Sequence, residues 1–248
     1  MLHELQICIP SRSRFRENRT LHNLSKNLLP MVTVVVPVDQ YEDYRARLPE
    51  VVKIWPFEGQ GIAAKREFIL TSKRSGKLIM LDDDLRFHKR IQDGTKFPAT
   101  LPEQTEQMFE EISSYLNIYP MVGLTDKFMS HTKPRFFIEC HRFNQVLGIN
   151  RDLLPQPWPQ FRVRHDEEHD VHLQLLTRGC KTAVLTEWSK SDKAGAAGGC
   201  NDWRSPEILK QVHEELITLW PTIVSITPDP PRARYNWKEA KRIGGLQS

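Results

Sequence analysis

The sequence predicts an α/β fold in a single domain: a mixed, mostly parallel sheet flanked by helices. Three observations lead there. Short apolar runs rich in β-branched residues recur with helical stretches between them, the order expected of strand–helix–strand units. One such run, Lys77-Leu78-Ile79-Met80-Leu81, has no helical spacing and passes directly into Asp82-Asp83-Asp84. A short run of that kind is a buried central strand, and three adjacent acids must break out of it into a site at its carboxyl end. The chain has 248 residues, 39% of them hydrophobic, enough for one large core.

Taken in order, Leu5–Pro10 is a first strand ended by proline, followed by a basic loop from Ser11 to Arg16. Thr20 is a candidate cap for a helix with Leu21, Leu24 and Leu28 on one face, stopped at Pro30. Val32–Pro37 is β-branched and apolar, an interior strand, with Asp39 and Gln40 just past its end. A short polar helix from Tyr41 to Leu48 leads to a third strand at Val51–Trp55. Gly59-Gln60-Gly61 opens a helix containing Lys65 and Arg66 that Gly76 closes, immediately before the acidic strand.

Residues 90–102 are polar and interrupted by Gly94, Pro98 and Pro102, the composition of a loop or lid. Glu103–Leu116 is an amphipathic helix with Met108, Ile112 and Leu116 as its apolar row. Phe136–Cys140 and Gln145–Ile149 are short strands, expected as an antiparallel pair. Asp166–Arg178 is a helix with Gly179 as its stop, and Lys181–Leu185 the last strand. A flexible polar loop, Ser189–Cys200, follows. Ser205-Pro206 then starts a helix, a cap residue with proline in the first turn, whose buried stripe is Ile208, Val212, Leu216 and Leu219. Residues 228–248 form a proline-rich, then basic tail after a domain spanning 1–227.

Mean hydropathy is −0.50 and no apolar run approaches bilayer length. The start of the chain enters a strand at once and lacks a signal-peptide pattern, so a cytoplasmic location is expected. The four cysteines, Cys8, Cys140, Cys180 and Cys200, lie far apart without paired metal-ligand spacing. A disulfide framework is therefore not expected. The net charge of +4 hints only mildly at a polyanionic partner.

Chemistry concentrates at the aspartates. Clustered hard oxygens suit Mg²⁺ or Mn²⁺, one or two carboxylates acting together with substrate phosphates. The plain alternative is a solvated acidic turn. For the later run Glu167-Glu168-His169-Asp170, the plain alternative is acids placed to suit a helix dipole. His165, His169 and His172 have no cysteine nearby, which disfavours zinc.

The order of basic loop, Gly-opened helix with Lys65-Arg66, acid cluster and Glu167-Glu168 helix resembles the glycosyltransferases of the GT-A fold. That resemblance implies a nucleoside-diphosphate sugar as donor, its diphosphate held through Mn²⁺ or Mg²⁺ on an Asp-x-Asp motif. Residues 1–89 would then be the donor half and residues 90–227 the acceptor half. Asp84 would ligate the metal, with Asp82 sharing it or touching the ribose. Asp83, Pro10, Ser11, Arg12, Asp39, Gly61, Lys65 and Arg66 would contact the donor. Glu168 would be the catalytic base if configuration is inverted, with Asp170 and Glu167 as the other candidates. The family often adds a late histidine ligand. No histidine lies between Arg178 and Arg204 here, which leaves Asp192 in its place or a Gly198-Gly199 turn offering amides to the diphosphate.

The small chain and its Gly198-Gly199-Cys200 stretch also look like the phage-type glycosyltransferases associated with TET-like oxygenases. That implies a hydroxymethylated pyrimidine in DNA as acceptor, and host cytoplasm as the location if the chain is phage-encoded. Arg14 and Arg16 early, and Arg232, Arg234, Tyr235 and Trp237 late, combine cations for phosphates with rings for bases. Transfer to a surface glycan or lipid precursor is an alternative. A non-catalytic nucleic-acid-binding protein on a related scaffold is another.

Overall fold

The computed structural model describes residues 4–91, 94, 96–130, 132–192, 205–228 and 231–246. The first third is built as the pattern predicts. Strands β1 (Leu5–Pro10), β2 (Val32–Pro37), β3 (Lys53–Phe57) and β4 (Lys77–Leu81) are all parallel, in the spatial order β3-β2-β1-β4. Alternation along these strands sorts their side chains. Ile7, Ile9, Val34, Ile79 and Leu81 face one core with helices α1 (Arg19–His22), α2 (Tyr41–Arg45) and α4 (Gln104–Tyr115). Cys8, Val35, Leu78 and Met80 face a second core with α3 (Ile62–Thr71) and α6 (Glu167–Leu176). Both faces are covered, which is why these strands read as continuous apolar runs rather than alternating ones.

Beyond β4 the sheet becomes mixed. Antiparallel β8 (Val146–Asn150) joins β4 to β6 (Met121–Asp126), which runs into the one-turn helix α5 (Lys127–Ser130), and β9 (Ala183–Ser191) runs parallel to β6. The outer edge of β9 is shared end to end by β5 (Arg86–Lys89) and β7 (Phe137–Glu139), completing nine strands. Several expectations change. The two strands expected to pair with each other do not: β7 pairs with β9, and β8 fills the gap between β4 and β6. Strand β6, absent from the sequence pattern, lies in the sheet interior. Residues Ser189–Ser191 extend β9 instead of starting a loop; the glycines at 198 and 199 lie outside the described residues. Thr20 does not cap α1; Asn18 does, its side chain accepting from Leu21 N–H. The helix expected to continue to Pro30 breaks after one turn.

The segment expected as a tail is folded. Ser205 caps α7 (Pro206–Leu219), after which β10 (Val224–Pro228) and β11 (Pro231–Tyr235) form a hairpin and α8 (Trp237–Ile243) follows. These elements make a third core with Leu173 and Leu176, the outward face of α6. The contact is close: a Cβ on Gly244 would fall 1.9 Å from the Leu176 carbonyl oxygen. Helix α6 is thus sandwiched, with the sheet on one side and the C-terminal unit on the other. Among the described residues, no helix is long and apolar enough to cross a membrane.

Candidate active site

Every parallel strand of the first half points its carboxyl end to one edge, and the charged residues collect there. Strand β4 delivers Asp82-Asp83-Asp84 to a turn pinned by Thr20. The Thr20 hydroxyl donates to the Asp82 carbonyl and accepts from Leu85 N–H at 2.8 Å. Asp83 turns inward, accepting from Ser11 Oγ at 2.5 Å and from Arg14. Ser11 in turn shares a 2.7 Å bond with the Tyr44 hydroxyl, and Lys65 donates to the Ser11 carbonyl at 2.8 Å. Asp83 is therefore a buried brace between the loop after β1 and the turn after β4. Arg14, expected on a nucleic-acid surface, sits inside this cluster and also pairs with Asp84 at 2.9 Å.

Arg66 is the second centre. Gly61, with φ of 82°, turns the chain into α3, a backbone state that glycine adopts without strain. The helix then drives Arg66 inward until its side chain is 2% exposed. One guanidinium serves three carboxylates: Nη2 reaches Asp82 at 2.6 Å, while Nη1 reaches Glu167 at 2.6 Å and Glu168 at 2.7 Å. Burial and the crowding of acids hold Asp82 and Glu167 above the usual carboxylate range, against the pull of Arg66. Burial acts on Glu168 too, but Arg66, His169 and the Gln145 amide outweigh it and keep Glu168 low and anionic.

Asp82, Asp83, Asp84, Glu167 and Glu168 gather around Arg14, Lys65 and Arg66, five acids to three cations. Among the described residues no three His, Cys, Asp or Glu side chains form a metal cage. The outward aspartates, Asp82 at 27% and Asp84 at 19% side-chain exposure, offer hard oxygens. They suit a divalent cation whose remaining ligands are phosphate oxygens and water.

The model of the TET-Associated Glycosyltransferase family matches residues 5–199. The chain belongs to the TET-associated glycosyltransferase family. No curated protein matches it significantly. Among solved structures it is similar to the Mycobacterium tuberculosis glucosyl-3-phosphoglycerate synthase in complex with Mg²⁺ and UDP, with a TM-score of 0.52 and 11% identity over 93% of this chain and 86% of that one. Staphylococcus aureus TarS 1–349 in complex with UDP-GlcNAc is similar with a TM-score of 0.50 and 14% identity, over 86% of this chain and 66% of that one. The chain thus spans just under two thirds of the TarS chain it matches. At these identities the likeness is one of fold, the GT-A arrangement.

Within this TET-associated glycosyltransferase, the remaining expected residues divide. Asp39 is exposed in the turn Val38–Gln40, and Gln40 ties that turn to the loop after β1 by bonding Ser13. Pro10 ends β1 and Arg12 follows half-buried in the same loop. Asp170 lies away from the cluster and is fully buried. It is held by Arg162 at 2.6 Å, by Trp220 Nε1 at 2.8 Å and by Gln174, which leaves its carboxylate engaged in structural bonds. Tyr235 and Trp237, expected as stacking platforms, pack with each other and with His169, 4.8 and 5.7 Å between ring centroids. The Tyr235 hydroxyl donates to Asp166 Oδ2 at 2.8 Å. Arg232 and Arg234 remain exposed on the hairpin, and Arg16 is exposed near the first loop.

Gln145 joins the site without a sequence motif to mark it. It occupies φ of +62° at the entry to β8. Its carbonyl accepts from Asp82 N–H at 3.0 Å, and its own N–H donates to Glu168 Oε1 at 2.8 Å. Its side-chain amide donates to Asp192 at 3.0 Å and accepts from the buried Lys190. The only sequence signal for it was a polar residue opening an apolar strand.

Proposed function

We propose that this chain is a metal-dependent glycosyltransferase that moves a sugar from a nucleoside-diphosphate sugar to an acceptor hydroxyl, the preferred acceptor being a hydroxymethylated pyrimidine in DNA. The observation that carries it is the carboxylate cluster around Arg66 at the carboxyl ends of the parallel strands, where α/β sheets bind ligands. Asp84 and Asp82 would hold Mn²⁺ or Mg²⁺ beside the donor's diphosphate, with Asp192 at the margin. Bound there, the cation would neutralise the charge that develops on the leaving diphosphate.

The protein's own groups do the rest. Ser11, Arg12, Asp39, Gly61 and Lys65 border the donor space. Glu168, kept anionic by Arg66, takes the proton from the acceptor hydroxyl as that oxygen bonds to the anomeric carbon. The bond from that carbon to the diphosphate breaks, and the nucleoside diphosphate leaves with the bonding electrons. Attack opposite the leaving group inverts configuration. Glu167 and Asp82 hold Arg66 in place from the other side. A hydroxymethyl group in a DNA duplex reaches such a pocket only when its base is flipped out. The family name, which couples these enzymes to TET-type oxygenases, supports that acceptor.

Labelled-sugar transfer from a panel of nucleotide-sugars to hydroxymethylated and to unmodified DNA tests both parts. Activity that needs Mn²⁺ or Mg²⁺, prefers the modified DNA and is lost in Asp84→Ala is expected. Undiminished activity in Asp84→Ala removes the metal site. Equal inactivity on both DNAs removes the DNA acceptor.

A further inference from the structure

Beside the acid cluster, between the loop after β1, α1 and α2, lies a separate cavity of about 690 Å³. Leu21 and Leu48 give it an apolar lining, and Arg16, Lys26 and Arg47 stand on its rim against one acid, Glu103. The two guanidiniums gather over one ring, Arg16 at 5.9 Å and Arg47 at 5.3 Å from the Phe15 centroid. Among the described residues none of these three cations is ion-paired, whereas Arg14, Arg66, Arg90, Arg162 and Lys190 all are. Like charges gathered around one hollow without acidic partners repel one another until an anion lies between them.

We infer that this cavity is a docking groove for the unpaired nucleic-acid strand that carries the acceptor base, an inference that rests on the DNA-acceptor reading above. A strand of nucleic acid offers both things the groove lacks. Its phosphates neutralise Arg16, Lys26 and Arg47, and a base lies against the guanidinium planes of Arg16 and Arg47 beside Phe15. The location fits. Phe15 and Arg16 directly follow Arg14, which pairs with Asp83 and Asp84. Leu21 follows Thr20, which pins the acidic turn. Groove and acid cluster therefore share one loop and one helix turn, so a strand seated in the groove brings a neighbouring nucleotide to the carboxylates. The hairpin arginines Arg232 and Arg234 lie on a different unit, the one packed against the outer face of α6.

The test is binding of fluorescent hydroxymethylated single-stranded and duplex oligonucleotides across a salt series. The proteins are wild type, Arg16→Ala/Arg47→Ala, Lys26→Ala, and Arg232→Ala/Arg234→Ala as a control. Thermal stabilisation by UDP with Mn²⁺ and UDP-glucose or UDP-GlcNAc hydrolysis are measured alongside. The double variant at the groove should bind DNA at least tenfold more weakly and lower the slope of log K against log salt by about 1–2. Lys26→Ala should give a smaller change in the same direction, and donor binding and hydrolysis should be unchanged in both. Wild type that binds DNA with no loss in either groove variant overturns the groove and leaves the glycosyltransferase intact. Wild type that neither binds nor modifies DNA overturns the groove together with the DNA acceptor. Binding to anionic phospholipid vesicles but not to oligonucleotides would overturn it in favour of a lipid surface.

Discussion

The backbone N–H of Gln145 donates to Glu168 Oε1 at 2.8 Å, from a residue held at φ of +62°. A non-glycine residue in that region is strained by about 1–2 kcal/mol, and such strain clusters at functional sites. The same residue accepts from Asp82 N–H, so one strained position sets the distance between the donor-side acid and the acceptor-side acid. Gln145→Gly should be close to wild type in stability, while Gln145→Val should lose about 1–2 kcal/mol. Both should slow transfer, because both lose the side-chain links to Asp192 and Lys190. Denaturant melts and turnover, measured side by side, check this; full activity in both variants would refute it.

Asp83 and Asp84 should separate cleanly. Asp83 is buried and bonded to Ser11 and Arg14, so Asp83→Ala should lower stability by about 3–5 kcal/mol. Asp84 is more exposed. Asp84→Ala should leave the melting temperature without ligand nearly unchanged and abolish the rise that UDP with Mn²⁺ produces. A thermal-shift series on the two variants reads both effects.

Glu168 and Asp170 lie two residues apart and should fail differently. Glu168→Gln removes the proposed proton acceptor and should reduce turnover by about 10²–10⁴-fold with little change in folding. Asp170→Asn leaves the Arg162 guanidinium without its carboxylate partner and should destabilise the protein while affecting turnover per folded molecule much less. Comparable catalytic losses in both would contradict the assignment.

The C-terminal unit should behave as structure. Truncation after Pro228 removes Tyr235, Trp237 and Ala240 from the outer face of α6 and should destabilise the whole domain. Tyr235→Phe, which loses only the bond to Asp166, should lose about 1–2 kcal/mol. A truncated chain with an unchanged melting curve would restore the picture of a dispensable tail.

Burial pushes His172 down to about 3 from its ordinary 6.5, and His88 and His141 down to about 4. Between pH 6.5 and those values the unfolded chain binds protons that the folded chain does not. Their contribution to stability is therefore complete above pH 6.5 and declines as pH falls toward 3. Asp82 and Glu167, raised in the folded protein to about 7 and about 8, act in the opposite sense over this range, so the histidine effect is read as a difference. Between pH 6.5 and 4.5 the melting temperature should fall less, or rise more, in His172→Gln than in wild type, and parallel curves would refute it.

Much of this was legible in the chain. The strands Leu5–Pro10, Val32–Pro37 and Lys77–Leu81 were marked by apolar, β-branched runs, and the helix start at Ser205-Pro206 by a cap followed by proline. Strand β6 is not legible there because Met121-Val122-Gly123-Leu124 is short and carries a glycine that weakens a strand pattern. The glycine is there for Phe143, whose ring atom would lie 2.0 Å from a Cβ at that position. The C-terminal unit is not legible in the chain because its apolar residues are spaced among prolines and cations and gain a core only against Leu173 and Leu176.

The sequence by itself determined the parallel half of the sheet and the acidic turn at the end of β4, because strand alternation and caps act within a few residues. Only the tertiary structure decided which acids act together. Arg66 meets Glu167 across 101 positions of chain, and Gln145 joins Asp82 to Glu168 and Asp192 from a third element. No local spacing encodes such meetings. They follow from the sheet order, which brings β4 beside β8 and lays α3 and α6 on the same face, so that buried charges must find partners from distant segments.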